Sequence, residues 1–101
     1  MDKGIRHNEG KPKWHLVDFD SLIPLVRVLE KGAEEYGEFN WKKGLDKTEI
    51  SESLIRHAMK LANGVKIDDS SGFPHYAHIM ANAMFYSYFD ELSEKDKVNE
   101  G

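Results

Sequence analysis

The sequence predicts an all-α protein, a small bundle of three to four helices. Three segments repeat apolar residues at three- and four-residue steps, and none alternates apolar with polar residues as a half-buried strand does. The third segment is apolar almost all round, the pattern of a helix covered on every side. Two further helices cannot enclose it, so homo-oligomeric association is expected to cover the remainder.

The first helix is expected from about Asp20 to Tyr36, with Leu22, Leu25/Val26, Leu29, Ala33 and Tyr36 on its stripe. Asp20 or Ser21 can cap its start, Pro24 fits its first turn, and Gly37 follows as a left-handed stop. The second opens at Asp46-Lys47-Thr48-Glu49, an arrangement that can work as a capping box. Ile50, Leu54, Ala58, Leu61 and Val65 form its stripe, and Gly64 is its predicted stop. The third follows Ser70-Ser71-Gly72, with Pro74 in its first turn, and continues to about Leu92.

With 101 residues the chain is expected to form one domain, and a chain of that size buries roughly 65% of its unfolded surface. Its expected parts are a basic, aromatic N-terminal arm (1–18), a helical core (19–92) and a charged, frayed tail (93–101). Lys and Arg number 14 against 18 Asp and Glu, a net charge of −4. That balance argues against nucleic-acid polymers, which call for a basic face, but not against a small anionic ligand. Much of the acid lies at Glu34, Glu35, Glu38 and from Asp90 to Glu100, while Arg6, Lys11, Lys13, Lys42, Lys43 and Arg56 gather near aromatics or histidine. Without cysteine there are no disulfides or thiolate metal sites. No run reads as a membrane span or a signal-peptide core, and a cytoplasmic location is expected.

The polar stripe on the third helix is the strongest functional feature. At 100° per residue His75, His78 and Asn82 share an arc of ~60°, and Phe85 and Phe89 continue that face. Three polar residues on one face of an apolar helix point to a pocket with a hydrophobic floor; the plain alternative is buried polar groups satisfied by hydrogen bonds. His57 belongs to the buried side of the second helix and can meet this stripe as an acid–base group or ligand, while Arg56 points roughly 100° away. Asp68 or Asp69 with His75 and His78 would give a mixed nitrogen and oxygen set suited to zinc, manganese or iron. Glu34-Glu35-Tyr36-Gly37-Glu38 spells E-E-x-x-E, the magnesium cluster of MazG-like nucleotide pyrophosphohydrolases. The E-x-x-D that those enzymes carry on a later helix is absent from the sequence, and a solvated helix face is the better reading.

Taken together, Lys11-Pro12-Lys13-Trp14, Phe19-Asp20, Gly32-Ala33-x-x-Tyr36-Gly37-x-x-Asn40-Trp41, Arg56-His57, Gly64, Asp68, Ser71-Gly72-x-Pro74-His75-x-x-His78 and Asn82 resemble the phage and bacterial dATP/dGTP diphosphohydrolase N-terminal domain family. The resemblance spans about Gly10 to Glu91. It implies a compact helical domain related to the MazG-like enzymes that binds purine (deoxy)nucleotides and hydrolyses dATP- or dGTP-type triphosphates to monophosphate and pyrophosphate. A divalent metal (magnesium, manganese or zinc) is the implied cofactor. On this reading Asp68, His75 and His78 hold the metal, and His57, Asp68 and His78 are the catalytic candidates. Lys11, Lys13, Trp14, Asn40, Trp41, Arg56, His75 and Asn82 are the ligand-binding candidates, with Arg56, Lys11 and Lys13 on phosphate and Trp41 or Trp14 stacked on the base. The alternative is a phage anti-defence sponge that captures nucleotide immune signals intact, since histidine and arginine hold phosphate without cutting it. The sequence leaves cutting and holding open.

Overall fold

The computed structural model describes residues 4–7 and 9–100, with side chains described as far as Leu92. Three α-helices, α1 (Ile23–Tyr36), α2 (Lys47–Ala62) and α3 (His75–Glu100), carry the fold, with single 3-10 turns at Trp14–Leu16, Phe19–Leu22 and Asn40–Lys43. Among the described residues there is no strand, only an isolated antiparallel bridge between Ile67 and Pro74. The protein is all-α.

α1 starts later than its stripe suggests. Phe19–Leu22 forms a 3-10 turn in which Ser21 Oγ donates to the Asp18 carboxylate. The helix proper then begins at Ile23 with Pro24 in its first turn and Leu22 at the cap position, so neither Asp20 nor Ser21 caps it. Gly37 ends α1 at φ 96°, where its N–H donates to the Ala33 carbonyl at 2.8 Å. Its ψ of 152° is extended rather than left-handed helical. Glu34, Glu35 and Glu38 are all exposed, and Glu38 lies beyond the helix. Phe39 adopts φ 58°, ψ 19°, a left-handed conformation that costs a bulky residue roughly 1–2 kcal/mol.

At α2 the expected cap forms in part. The Asp46 carboxylate accepts from the Thr48 N–H at 2.8 Å. Ile50 is buried and Leu54 and Ala58 are half-buried, but Leu61 and Val65 are exposed, so the stripe is covered only over its first turns. Gly64, at φ 85°, turns the chain out of the helix, and the Val65 N–H closes back onto the Lys60 carbonyl at 3.0 Å.

The segment between α2 and α3 is a tight hairpin. Asp68 N–H bonds the Phe73 carbonyl (2.9 Å), Gly72 N–H the Asp68 carbonyl (2.7 Å) and His75 N–H the Lys66 carbonyl (2.7 Å). Pro74 therefore sits just before α3, not within it, and α3 returns antiparallel to α2. α3 runs on to Glu100 where the sequence predicts an end near Leu92. It is central, packing against both α2 and α1, with Ala77 and Ala81 as its most deeply buried apolar residues.

Within the one chain α3 is not covered on every side, as expected for a helix with only two partners. Tyr76, Ala83 and Tyr86 are exposed and share an arc of ~80°. The radius of gyration, 17.5 Å, exceeds the ~13 Å of a compact chain of this length. Replacing Asp46 by Ala is expected to lower unfolding free energy by about 1 kcal/mol, and Asp46→Asn by much less, as read by chemical denaturation.

Candidate functional site

Three elements converge at the α2–α3 end of the molecule. His57 comes from the last turns of α2, Asp68 and Ser71 from the hairpin, and His75 and His78 from the first turn of α3. The hairpin's backbone bonds fix where α3 begins, and thereby which histidines face α2. His57 Nδ1 lies 2.8 Å from His75 Nδ1, and the His57 and His78 rings stack at 4.5 Å with 13° between planes. Ser71 Oγ donates to Asp68 Oδ2 at 2.8 Å and lies 2.7 Å from His78 Nε2. One face of the cluster is closed by Phe73, edge-on to His78. His75 is buried and the other members are half-buried.

The electrostatics favour neutral rings. Burial pushes His57 below the ordinary imidazole value, and the neighbouring His78, His75 and Arg56 push the same way while Asp68 opposes them. His78 is likewise lowered, first by burial, against the pull of Asp68. The hydrogen bond from Ser71 holds the Asp68 carboxyl below its ordinary range, against the opposing effect of burial. The result is a carboxylate beside imidazoles that resist protonation.

One ligand atom each from His57, Asp68 and His75 lies within 4.8 Å of the others. Two imidazole nitrogens and one carboxylate oxygen suit zinc or manganese better than magnesium, which prefers oxygen alone. This trio shares Asp68 and His75 with the set expected from sequence and has His57 where that set has His78.

The remaining sequence candidates are distributed more widely. Asn82 reaches α2, donating to Ser53 Oγ at 3.2 Å. Arg56 is exposed beside His57. Lys11, Lys13 and Trp14 lie exposed in the arm, whose 3-10 turn makes no substantial contact with any helix. Asn40 and Trp41 line a separate groove of about 960 Å³ between α1 and α3. Trp41 is packed there against Phe85 (4.8 Å) and Tyr88 (5.0 Å) and is half-buried. Sequence reasoning missed Ser71 and Ser53 as members of polar networks. Ser71 reads as an ordinary turn residue, and only its spacing, three after Asp68 and seven before His78, hints at more.

The depressed histidines set a pH dependence for the metal-free protein. A folded-state imidazole pKa below the unfolded 6.5 leaves stability unchanged above that value. As pH falls from 6.5 the unfolded chain takes up protons that the fold refuses, so stability declines until the folded pKa values are passed. Melting temperature in chelator is expected to hold down to about pH 7 and to fall towards about pH 5. The double variant His57→Gln/His78→Gln should show a shallower decline.

Comparison with known proteins bears on what such a cluster serves. Residues 1–98 match the family described as dATP/dGTP diphosphohydrolase, N-terminal. The dATP/dGTP diphosphohydrolase of Salmonella phage PMBT28 is 33% identical over 82 residues, covering 81% of this chain and 28% of the relative. The chain thus spans under a third of that curated relative's length. No solved structure matches. Because the family match runs through all three helices and the hairpin that joins the last two, this chain belongs to the dATP/dGTP diphosphohydrolase N-terminal family.

Proposed function

We propose that this chain binds a purine (deoxy)nucleotide at the His57–Asp68–His75 cluster and hydrolyses its triphosphate to monophosphate and pyrophosphate. The convergence of three potential ligands, from α2, the hairpin and α3, in a chain of a family named for diphosphohydrolase activity carries this reading. His57, Asp68 and His75 would hold a divalent metal, manganese or zinc by the chemistry of the donors. Such a metal, when bound, neutralises phosphate charge and lowers the pKa of a bound water.

The chain's own groups supply the rest. Water adds to the α-phosphorus, the bond from that phosphorus to the bridging oxygen breaks, and pyrophosphate leaves. His78, kept neutral by burial, accepts the proton that water loses. Arg56, exposed next to His57, would meet phosphate. Trp14, 67% exposed, has a free face for a base, and the arm with Lys11 and Lys13 would have to fold towards the cluster to bring it there. On the same reading the protein works in the cytoplasm as a homo-oligomer, a second copy covering the Tyr76–Tyr86 arc of α3.

A second reading, capture of the nucleotide intact, draws on the single carboxylate of the Asp68 trio. One assay separates the two. The protein is incubated with dATP, dGTP and cyclic dinucleotides, with manganese, zinc, magnesium or chelator, then denatured and its nucleotides chromatographed. Monophosphate plus pyrophosphate is expected with manganese or zinc. His78→Ala should lower that turnover about 100-fold while retaining its helical signal. Recovery of bound nucleotide uncut under every metal would replace hydrolysis with capture.

A further inference from the structure

We propose that Ser71 is a positioning residue that fixes His78 as its Nε2–H tautomer and so makes Nδ1 the ring nitrogen that accepts a proton. Three groups compete for one hydroxyl. Ser71 Oγ lies 2.8 Å from Asp68 Oδ2, 2.7 Å from His78 Nε2 and 3.2 Å from the Phe73 backbone nitrogen. A serine hydroxyl has one proton to give and two lone pairs to receive with.

The Phe73 N–H can only donate, so it uses one lone pair. An ionised Asp68 can only accept, so it takes the hydroxyl proton. What remains for His78 is the second lone pair, and only an Nε2 that carries hydrogen can use it. The reverse assignment, with the hydroxyl donating to Nε2, would leave the Asp68 carboxylate facing a serine oxygen with no hydrogen between them. Asp68 does not take over the role directly, because its Oδ2 is 3.6 Å from Nε2, beyond an ordinary hydrogen bond. The chain of donation runs His78 Nε2–H to Ser71 Oγ–H to Asp68 Oδ2.

His78 itself lies outside the His57–Asp68–His75 group. The same hydroxyl holds Asp68 in place, as outer-shell partners do for ligating groups. The catalytic consequence rests on the hydrolytic reading above; the tautomer does not.

Long-range 1H–15N correlation spectra of the metal-free full chain at neutral pH test the tautomer. Wild type should show His78 with hydrogen on Nε2 and a bare Nδ1. Its Nε2 proton should be visible in wild type and lost to solvent exchange in Ser71→Ala, with Ser71→Thr restoring it. A bare Nε2 in wild type, or an Nε2 proton that persists in Ser71→Ala, would overturn the proposal. In a wild type that turns over nucleotide, Ser71→Ala should lower kcat about 10-fold and Ser71→Thr should recover most of it. Unchanged kcat in Ser71→Ala would end the positioning role. A wild type without turnover would instead remove the hydrolytic reading and leave the spectra to decide the tautomer.

Discussion

α3 begins where the Lys66 carbonyl takes the His75 N–H, 2.7 Å away, and the register of the site follows from that bond. The hairpin holds the two chain ends it joins, so the first turn of α3 lies beside the last turns of α2. Side chains four residues apart occupy one helical face, which aligns Ser53 and His57 on α2 with Asn82 and His78 on α3. A slip of one residue at the hairpin would rotate α3 by about 100° and turn its histidines away from α2. Gly64 and Gly72, both at positive φ, let the hairpin close this tightly.

The cluster gathers several imidazoles around a single carboxylate. Bringing charged imidazolium groups together in a half-buried site would cost both desolvation and mutual repulsion, so the fold keeps His57 and His78 neutral. Asp68 stays ionised because Ser71 solvates it in place of water. A neutral-nitrogen and carboxylate surround carries net negative charge and favours a cation. The −4 of the whole chain, by contrast, is spread over exposed groups such as Glu34, Glu35 and Glu38 and says little about this pocket.

Much of this was legible in the sequence. The three helices, the stops at Gly37 and Gly64, the cap at Asp46 and the face shared by His75, His78 and Asn82 follow from local chemistry and helical period. The meeting of His57 with that face was also foreseeable, because both are buried-side residues on neighbouring helices. What sequence could not supply was tertiary. The bonds that draw Ser71 towards His78 depend on the hairpin's shape, and the packing of Trp41 against Phe85 and Tyr88 depends on how the Asn40–Lys43 turn lands on α3. The arm's lysines and Trp14 read as part of one basic site, yet local sequence carries no information on where an exposed segment docks. The all-round apolar α3, with only two partner helices, already implied that α1 and α2 would cover only part of its circumference.

The divalent-metal site proposed at His57, Asp68 and His75 can be examined with the metal in place. X-ray absorption spectroscopy of the protein loaded with one equivalent of zinc tests it most directly. Nitrogen and oxygen ligands are expected, with outer-shell scattering from two imidazoles, reduced to one in His57→Gln. A zinc shell without imidazole scattering, or one unchanged in His57→Gln, would contradict it.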